Sequence, residues 1–302
     1  MHPKLVLPVL KLRPGPVILN ADDYGIAAGV TQGIYELAQA ERISATSAIV
    51  TLPRWAEDAR RLTALRGKIA IGLHVNLTLG KPLGAMAKLA PGGVLPTVGE
   101  LLRRALKREI DYAEIAAEVT RQLEAFEREA GFPPDHIDSH QHVHVLPGVR
   151  RGLLAALVAR FPGPKPLLRD PGDRMFSICA RGGEMAKAFG IAALAAGFKF
   201  QARRLGFPTN NGFSGFSAFD TDRMYEIELA GAMRLTGAGH ILMCHPGFPD
   251  AELRALDPVV ERRGQEQEAL RINPELPKRI WHPERGAADG PLAWGRVFGH
   301  GA

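Results

Sequence analysis

Short apolar runs alternating with helical stripes constrain this chain more than any other feature. Val17-Ile18-Leu19, Ala48-Ile49-Val50 and Ile69 to Val75 have the length and content of buried strands. Val30, Ile34, Leu37 and Ala38 recur at helical spacing after the first of them. Tyr112, Ile115, Val119, Leu123 and Phe126 form a longer stripe that stops at Gly131, with Pro133 and Pro134 beyond. Strand-like segments return at 136–139, 167–170 and 240–243, with helix candidates at 148–160, 184–204 and 221–235. Such alternation is the pattern of βαβ units and predicts a parallel sheet. About seven units in 302 residues predict an irregular (β/α) barrel, with a doubly wound open sheet as the alternative. Two stretches break the rhythm: a loop rich in Gly and Pro at 80–97, and an insertion at 172–215 expected to include one helix.

The net charge of +6 raises the question of anionic partners, but Lys and Arg are dispersed among Asp and Glu as on a solvated surface. No basic block with interleaved aromatics marks a nucleic-acid site. Cys179 and Cys244 lie among apolar neighbours and are expected to be buried thiols; two cysteines without a CxxC build no disulfide framework, which fits a cytoplasmic location. Met1 to Leu12 is mildly apolar but carries Pro3 and Pro8 and has no signal-peptide pattern, and no apolar run is long enough to span a bilayer.

Chemistry is concentrated where strands end. Val17–Asn20 leads into Asp22-Asp23, Ile69–Leu73 ends at His74, the segment 136–139 runs into His140, His142 and His144, and 240–244 ends at His245. In a parallel barrel these ends share one face, where barrel active sites are built. Adjacent strand residues point opposite ways, so Asp22 and Asp23 can divide roles, one on a metal and one taking a proton from water. Alone, the pair reads better as a turn or helix cap with Gly25, and the strand context is what shifts the balance. His140, His142 and His144 would present three imidazoles on one face if the segment stays extended, a metal-binding pattern, with Asp138 placed to hold a ligand imidazole. There is no phosphate loop of the Walker type, no dinucleotide fingerprint after the first strand and no Gly-x-Ser-x-Gly elbow.

Four of these segments carry a resemblance. Asn20-Ala21-Asp22-Asp23-Tyr24-Gly25, Ile71-Gly72-Leu73-His74-Val75-Asn76-Leu77-Thr78 with Gly80-Lys81-Pro82-Leu83, His136 through His144, and Met243-Cys244-His245-Pro246-Gly247-Phe248 resemble, in order, the motifs of the YdjC-like (ChbG/HpnK) carbohydrate deacetylases. Gly212-Phe213-Ser214 is similar as well. The resemblance implies a distorted (β/α) barrel of the glycoside hydrolase/deacetylase type over 1–302, with a core at about 16–270 and the insertion at about 172–215. It implies hydrolysis of an acetamide on an N-acetylglucosamine unit. It implies one divalent metal ion, Mg²⁺ foremost and Zn²⁺, Mn²⁺ or Co²⁺ besides, on Asp23, His74 and His140. Asp22 would be the general base and His245 the general acid, with His144 next in line as acid.

The insertion is longer than in the chitooligosaccharide branch and is similar to the hopanoid-associated branch, which leaves the acceptor open between a soluble oligosaccharide and a glycolipid. Its segment 184–204 would then border the metal site, expose Phe189, Ile191, Leu194 or Phe198, and make a peripheral membrane contact; a barrel helix or a homodimer contact is the plainer expectation. A metal-dependent hydrolase of a glycosidic or phosphoester bond, and a non-catalytic sugar binder, are the competing functions.

Overall fold

A computed structural model describes residues 16–283 together with 291, 292 and 294, so the expectations for Met1 to Leu12 lie outside the described residues. The chain runs β1 (Ile18–Tyr24), α1 (Ala28–Gln39), β2 (Ala45–Ala48), α2 (Trp55–Thr63), β3 (Ala70–Val75), α3 (Val98–Leu106), α4 (Tyr112–Ala130), β4 (His136–Ser139) and α5 (Val149–Arg160). It continues through β5 (Leu167–Leu168), α6 (Met175–Arg181), α7 (Met185–Leu194), α8 (Phe198–Arg204), β6 (Gly212–Ser214), α9 (Tyr225–Ala232), β7 (His240–Cys244), α10 (Ala251–Leu256) and α11 (Glu261–Ile272).

All seven strands are parallel, in the order β5-β4-β3-β2-β1-β7-β6. The two edges return to each other at one bridge, Leu168 with Thr209, where Leu168 N donates to the Pro208 carbonyl at 2.8 Å. The sheet therefore curls into the distorted barrel that the alternation predicts. Its seam is closed mostly by a side chain. Asn210, fully buried, accepts from Asp170 N at 2.7 Å and donates to the carbonyls of Asp170 at 2.9 Å and Gly212 at 2.8 Å.

Strand side chains alternate between two apolar clusters. Leu19, Ala21, Ile71, Leu73 and Ile137 pack outward under the helices, whereas Ile18, Ala45, Ala70, Leu167, Ile241 and Met243 fill the barrel interior. Both faces are buried, which is why the strands are near-continuous apolar runs. Gly72 faces the interior where the His136 ring crosses; a Cβ there would lie 2.4 Å from that ring. The helices carry their own local signals. On α4, Ile115, Val119, Leu123 and Phe126 are buried, Asp111 caps the start by accepting from Ala113 N and Glu114 N, and Gly131 ends the helix at φ 81°. Thr97 and Glu100 open α3 as a Thr-x-x-Glu start, with Thr97 accepting from Glu100 N. Among the described residues no helix is long and apolar enough to cross a membrane.

Several expectations are corrected. The second strand lies at Ala45–Ala48 and ends where Ile49-Val50 begin. Its Thr46 and Ser47 are buried with their hydroxyls bonded to Ala21 O and to His74, so a fully internal strand shows no apolar alternation. The insertion holds three helices and a strand rather than one helix, because Gly182, Gly183 and Gly197 take positive φ and stop each helical run. The helix expected at 221–235 is confined to Tyr225–Ala232. Cys179 is exposed, since α6 turns Ser177 and Ile178 inward instead; Cys244 is buried as expected. Phe198 is fully buried, and Phe189, Ile191 and Leu194 are half-buried, so none of these four is an exposed apolar anchor.

Candidate active site and metal centre

The carboxyl ends of β1, β3, β4 and β7 converge on a cavity of about 470 Å³, lined among others by Asp22, Asp23, His74, His140, His142 and His245. How each side chain arrives there follows from local backbone geometry.

On β1 the pairing with β2 runs Ala21 to Thr46 and then Tyr24 to Ala48, so Asp22 and Asp23 together face Ser47. That extra residue is a β-bulge, and Asp23 takes φ 69°, a conformation uncommon outside glycine. The bulge breaks the strand's alternation, so both carboxylates line the cavity rather than opposite faces. What separates them is their fastening. Asp22 is gripped by the Arg169 fork, Nη1 to Oδ1 at 2.7 Å and Nη2 to Oδ2 at 2.9 Å, and Oδ1 accepts a further bond from Asn20 Nδ2 at 2.6 Å. Asp23 meets a guanidinium at one oxygen only: Arg263 Nη2 donates to Oδ2 at 2.7 Å, while Oδ1 faces His74 Nε2 at 3.2 Å and His140 Nδ1 at 3.0 Å. Burial would raise the Asp23 pKa, but the charge of Arg263, and then His140 and His74, hold it well below the usual carboxylate range.

His74 projects from β3 with Nδ1 2.6 Å from Asp138 Oδ1 and 3.1 Å from Ser47 Oγ. A carboxylate only accepts, so Nδ1 carries the hydrogen and Nε2 is left facing Asp23. This is the prop that the position of Asp138 predicts. Burial works against a charged His74, yet the charge and hydrogen bond of Asp138 and the bond to Asp23 outweigh it, raising His74 to about 10. Arg169 Nη1 also lies 2.9 Å from Asp138 Oδ2, so one guanidinium serves both Asp22 and the carboxylate behind His74.

The three-histidine expectation fails beyond its first member. After β4 the chain enters a 3₁₀ turn, His140–Val145, in which Gln141 (φ 56°) and His142 (φ 57°) are left-handed. His140 reaches Asp23. His142 packs edge-on against Phe213 and Phe216, ring centroids 5.5 and 5.6 Å away, and burial lowers its pKa well below the ordinary value. His144 turns away from the cavity. Its Nε2 donates to Arg169 O at 2.8 Å and Ser139 Oγ lies 2.7 Å from Nδ1, so both ring nitrogens are engaged and it has no place as a substitute acid.

His245 follows β7, half-buried on the cavity wall, with its ring edge-on to Phe219 at 5.4 Å. Its backbone N–H donates to Glu266 Oε2 at 2.6 Å. Burial lowers the imidazole to about 4, opposed by Asp23 and Asp22, so the free site holds it neutral at pH 7. Burial pushes Glu266 up to about 7. Phe219, like Asp23, Gln141 and His142, has a positive φ (57°). Four non-glycine residues in that conformation around one cavity are the kind of backbone strain that accompanies functional sites.

Metal fit can be tested on the donor atoms. Asp23, His74 and His140 offer one carboxylate oxygen and two imidazole nitrogens within 4.8 Å of one another, facing the cavity. A second group, Asp22, His74 and Asp138, is gathered as closely, but both of its carboxylates already face Arg169 and His74 presents to it the nitrogen that carries a hydrogen. The first group fits a divalent cation; the second is its support. The family resemblance implied the first, and neither it nor the strand-end pattern named Arg169 or Arg263. Arg169 ends β5 as His74 ends β3 and was legible on that ground, whereas nothing marks Arg263 on a polar helix. The insertion contributes Lys187 and Ile191 to the cavity wall.

A family model described as "YdjC-like protein" matches residues 16–279. The carbohydrate deacetylase of Mus musculus is 34% identical over 255 residues, 77% of this chain and 78% of its own. The chitooligosaccharide deacetylase of Serratia marcescens is 41% identical over 134 residues, 44% of this chain, and the match spans only about half (52%) of that relative's length. Among solved structures, a protein from Enterococcus faecalis described as a cellobiose-phosphate cleavage protein superposes with a TM-score of 0.62 at 23% identity, covering 90% of this chain and 97% of its own; that likeness concerns the fold. By the extent of the family match and the mouse relative together, the chain belongs to the YdjC-like family.

Proposed function

We propose that the protein hydrolyses the acetamide of an N-acetylglucosamine unit, using one divalent metal ion held by Asp23, His74 and His140. The observation that carries this reading is the unequal fastening of the two neighbouring carboxylates: a guanidinium takes only Oδ2 of Asp23 and leaves Oδ1 to two imidazoles, whereas the Arg169 fork takes both oxygens of Asp22. The deacetylase names of the relatives agree with it.

An amide carbonyl is a weak electrophile and an amine a poor leaving group. A bound divalent ion would polarise the carbonyl and make water a better nucleophile. Asp22 Oδ1 already accepts two hydrogen bonds, from Asn20 and Arg169, and Oδ2 only one, so Oδ2 is the atom that takes the water proton. Arg169 keeps Asp22 in place while it does so. His245 faces the same cavity and donates a proton to the departing nitrogen. Being neutral in the free site, it donates only after gaining a proton, and the one released from water through Asp22 balances the step. Water adds to the carbonyl carbon, the C–N bond breaks, and acetate and the free amine leave. A glycosidase would need two carboxyl groups across a cleft, whereas Asp22 and Asp23 are neighbours on one strand.

Mixed oxygen and nitrogen ligation admits Mg²⁺, the ion first expected, and equally Mn²⁺, Co²⁺ or Zn²⁺. The acceptor is an N-acetylated oligosaccharide or glycolipid. The test is acetate release from N,N′-diacetylchitobiose and from an N-acetylglucosaminyl lipid by protein loaded with each metal. Release that stops on chelation and returns with metal is expected. No acetate from either substrate with any of the four ions would overturn the reading.

A further inference from the structure

Arg263 lies in the first turn of α11, is 1% exposed, and ties together three parts of the cavity. Its Nη2 donates to Asp23 Oδ2 and to Asp257 Oδ2, both at 2.7 Å. Its Nε donates to Val259 O at 2.9 Å, and its own carbonyl accepts from Gly247 N at 3.2 Å, next to the His245 loop. Asp257, Pro258 and Val259 form part of the cavity wall. The contrast with Arg169 is instructive. Arg169 spends both terminal nitrogens on the two oxygens of Asp22, whereas Arg263 spends one nitrogen on one oxygen of Asp23 and leaves the other oxygen to the imidazoles.

We propose that Arg263 is a positioning residue that makes Asp23 a one-oxygen metal ligand and locks the 257–259 wall to that same carboxylate. A carboxylate with both oxygens free can chelate a cation through both, occupying a coordination position that water or the amide oxygen needs. Arg263 takes Oδ2 out of play with a charge-assisted hydrogen bond. Its charge opposes a nearby dication, so its contribution is orientation rather than attraction. Because the wall hangs on the same guanidinium, the cavity's shape and the ligand's orientation are set together. This inference rests on the metal site proposed above.

Co²⁺ is the probe, since its d–d absorption reports coordination number. Binding is measured by titration calorimetry and by the visible spectrum for the intact chain, Arg263→Gln and Arg263→Lys, with Asp23→Asn as the control. Arg263→Gln is expected to shift the d–d bands and weaken Co²⁺ by about 10–100-fold, the usual consequence of losing a group that orients a ligand. Arg263→Lys keeps the charge but has no second, rigidly linked nitrogen to donate to Val259 while the first bridges Asp23 and Asp257, so it too is expected to shift the bands. Should Arg263→Gln fail to fold, the lysine variant decides. Wild-type affinity and spectrum in the folded Arg263 variants would overturn the inference. If Asp23→Asn also binds Co²⁺ unchanged, the metal site itself is wrong; if Asp23→Asn alone loses Co²⁺, only the role of Arg263 falls.

Discussion

The two parts of the barrel are built differently. From β1 through β4, with β7, the strands run four to seven residues, and the bulge at Asp22-Asp23 is the one break in their ladders. Around β5 and β6 the strands shrink to two and three residues, and the sheet closes on one bridge and the amide of Asn210. All five residues assigned to the chemistry, Asp22, Asp23, His74, His140 and His245, stand at the ends of the long strands. The short-strand part supplies walls: Lys187 and Ile191 from α7, the Phe213 and Phe216 rings behind His142, and Phe219 against His245. Arg169, at the end of β5, is the exception, reaching across to Asp22. Reacting atoms need positions fixed to a fraction of an ångström, which paired strands provide. Walls tolerate insertion, and here the insertion lies.

The sharpest way to break this contrast is in the long-strand part. Asp22→Asn keeps the size and some of the hydrogen bonding to Arg169 and Asn20 but removes the base. Deacetylation is expected to fall by about 10²–10⁴ with metal binding retained, while the melting transition drops because buried Arg169 loses one of its two carboxylates. Near-wild-type turnover, measured as acetate release under saturating metal, would mean that another group activates water.

His245→Ala should cost less on some substrates than on others. A phenolate leaves an acetate ester without a proton and an amine does not leave an amide, so the loss is expected to be about tenfold or more greater on the amide. Equal losses on N-acetylated sugar and on an aryl acetate would reduce His245 to positioning. The pH profile sharpens the same point. With its pKa at about 4 in the free site, His245 should give kcat/KM no alkaline fall near pH 6.5. A fall there that disappears in His245→Ala would show the imidazole to be protonated in the free enzyme instead.

The short-strand part is tested through stability. Asn210→Ala leaves the Asp170 N–H and two carbonyls at the seam without partners in a buried place. A loss of about 2–4 kcal/mol is expected by urea denaturation, since each stranded polar group costs on the order of 1–3 kcal/mol. A change below about 1 kcal/mol would mean that the seam is held by packing alone and that the two parts of the barrel differ less in how they are closed.

Legibility followed the same division. The long strands, the stripe of α4 and its Gly131 stop were plain, because burial on both faces writes itself as apolar runs and a helix stripe has a period. The positions of Asp22, His74, His140 and His245 were plain because strands end there. β2 was misplaced since its internal residues are small and hydroxylated. The Asp22–Asp23 bulge and the left-handed Gln141-His142 turn were invisible, because any residue can adopt such φ when its surroundings force it. His142 and His144 were therefore given a shared face they do not have. Arg263 lay beyond reach for another reason: on a polar helix, a buried cation cannot be told from an exposed one until the carboxylates it serves are located in space.

The smallest effect is expected where the insertion touches the cavity. Lys187 lines the wall from α7, with Nζ 3.4 Å from Ser217 O and 4.9 Å from the Phe219 ring centroid. Neither contact is a strong one, and the cavity's carboxylates are already served by Arg169 and Arg263. Its ammonium is thus available to a substrate hydroxyl or an anionic group on the acceptor, at a distance from the bond that breaks. Such an interaction is made equally in the ground state and the transition state, so removing it should raise KM and leave kcat alone. Lys187→Ala is expected to raise KM for the sugar by about three- to tenfold, the worth of one ordinary hydrogen bond, with kcat within about twofold. A kcat that falls with unchanged KM would put Lys187 among the reacting groups and move part of the chemistry onto the short-strand side, against the division drawn above. An acceptor dependence, with a larger KM effect on one class of N-acetylated substrate than on another, would instead identify α7 as the element that selects the acceptor.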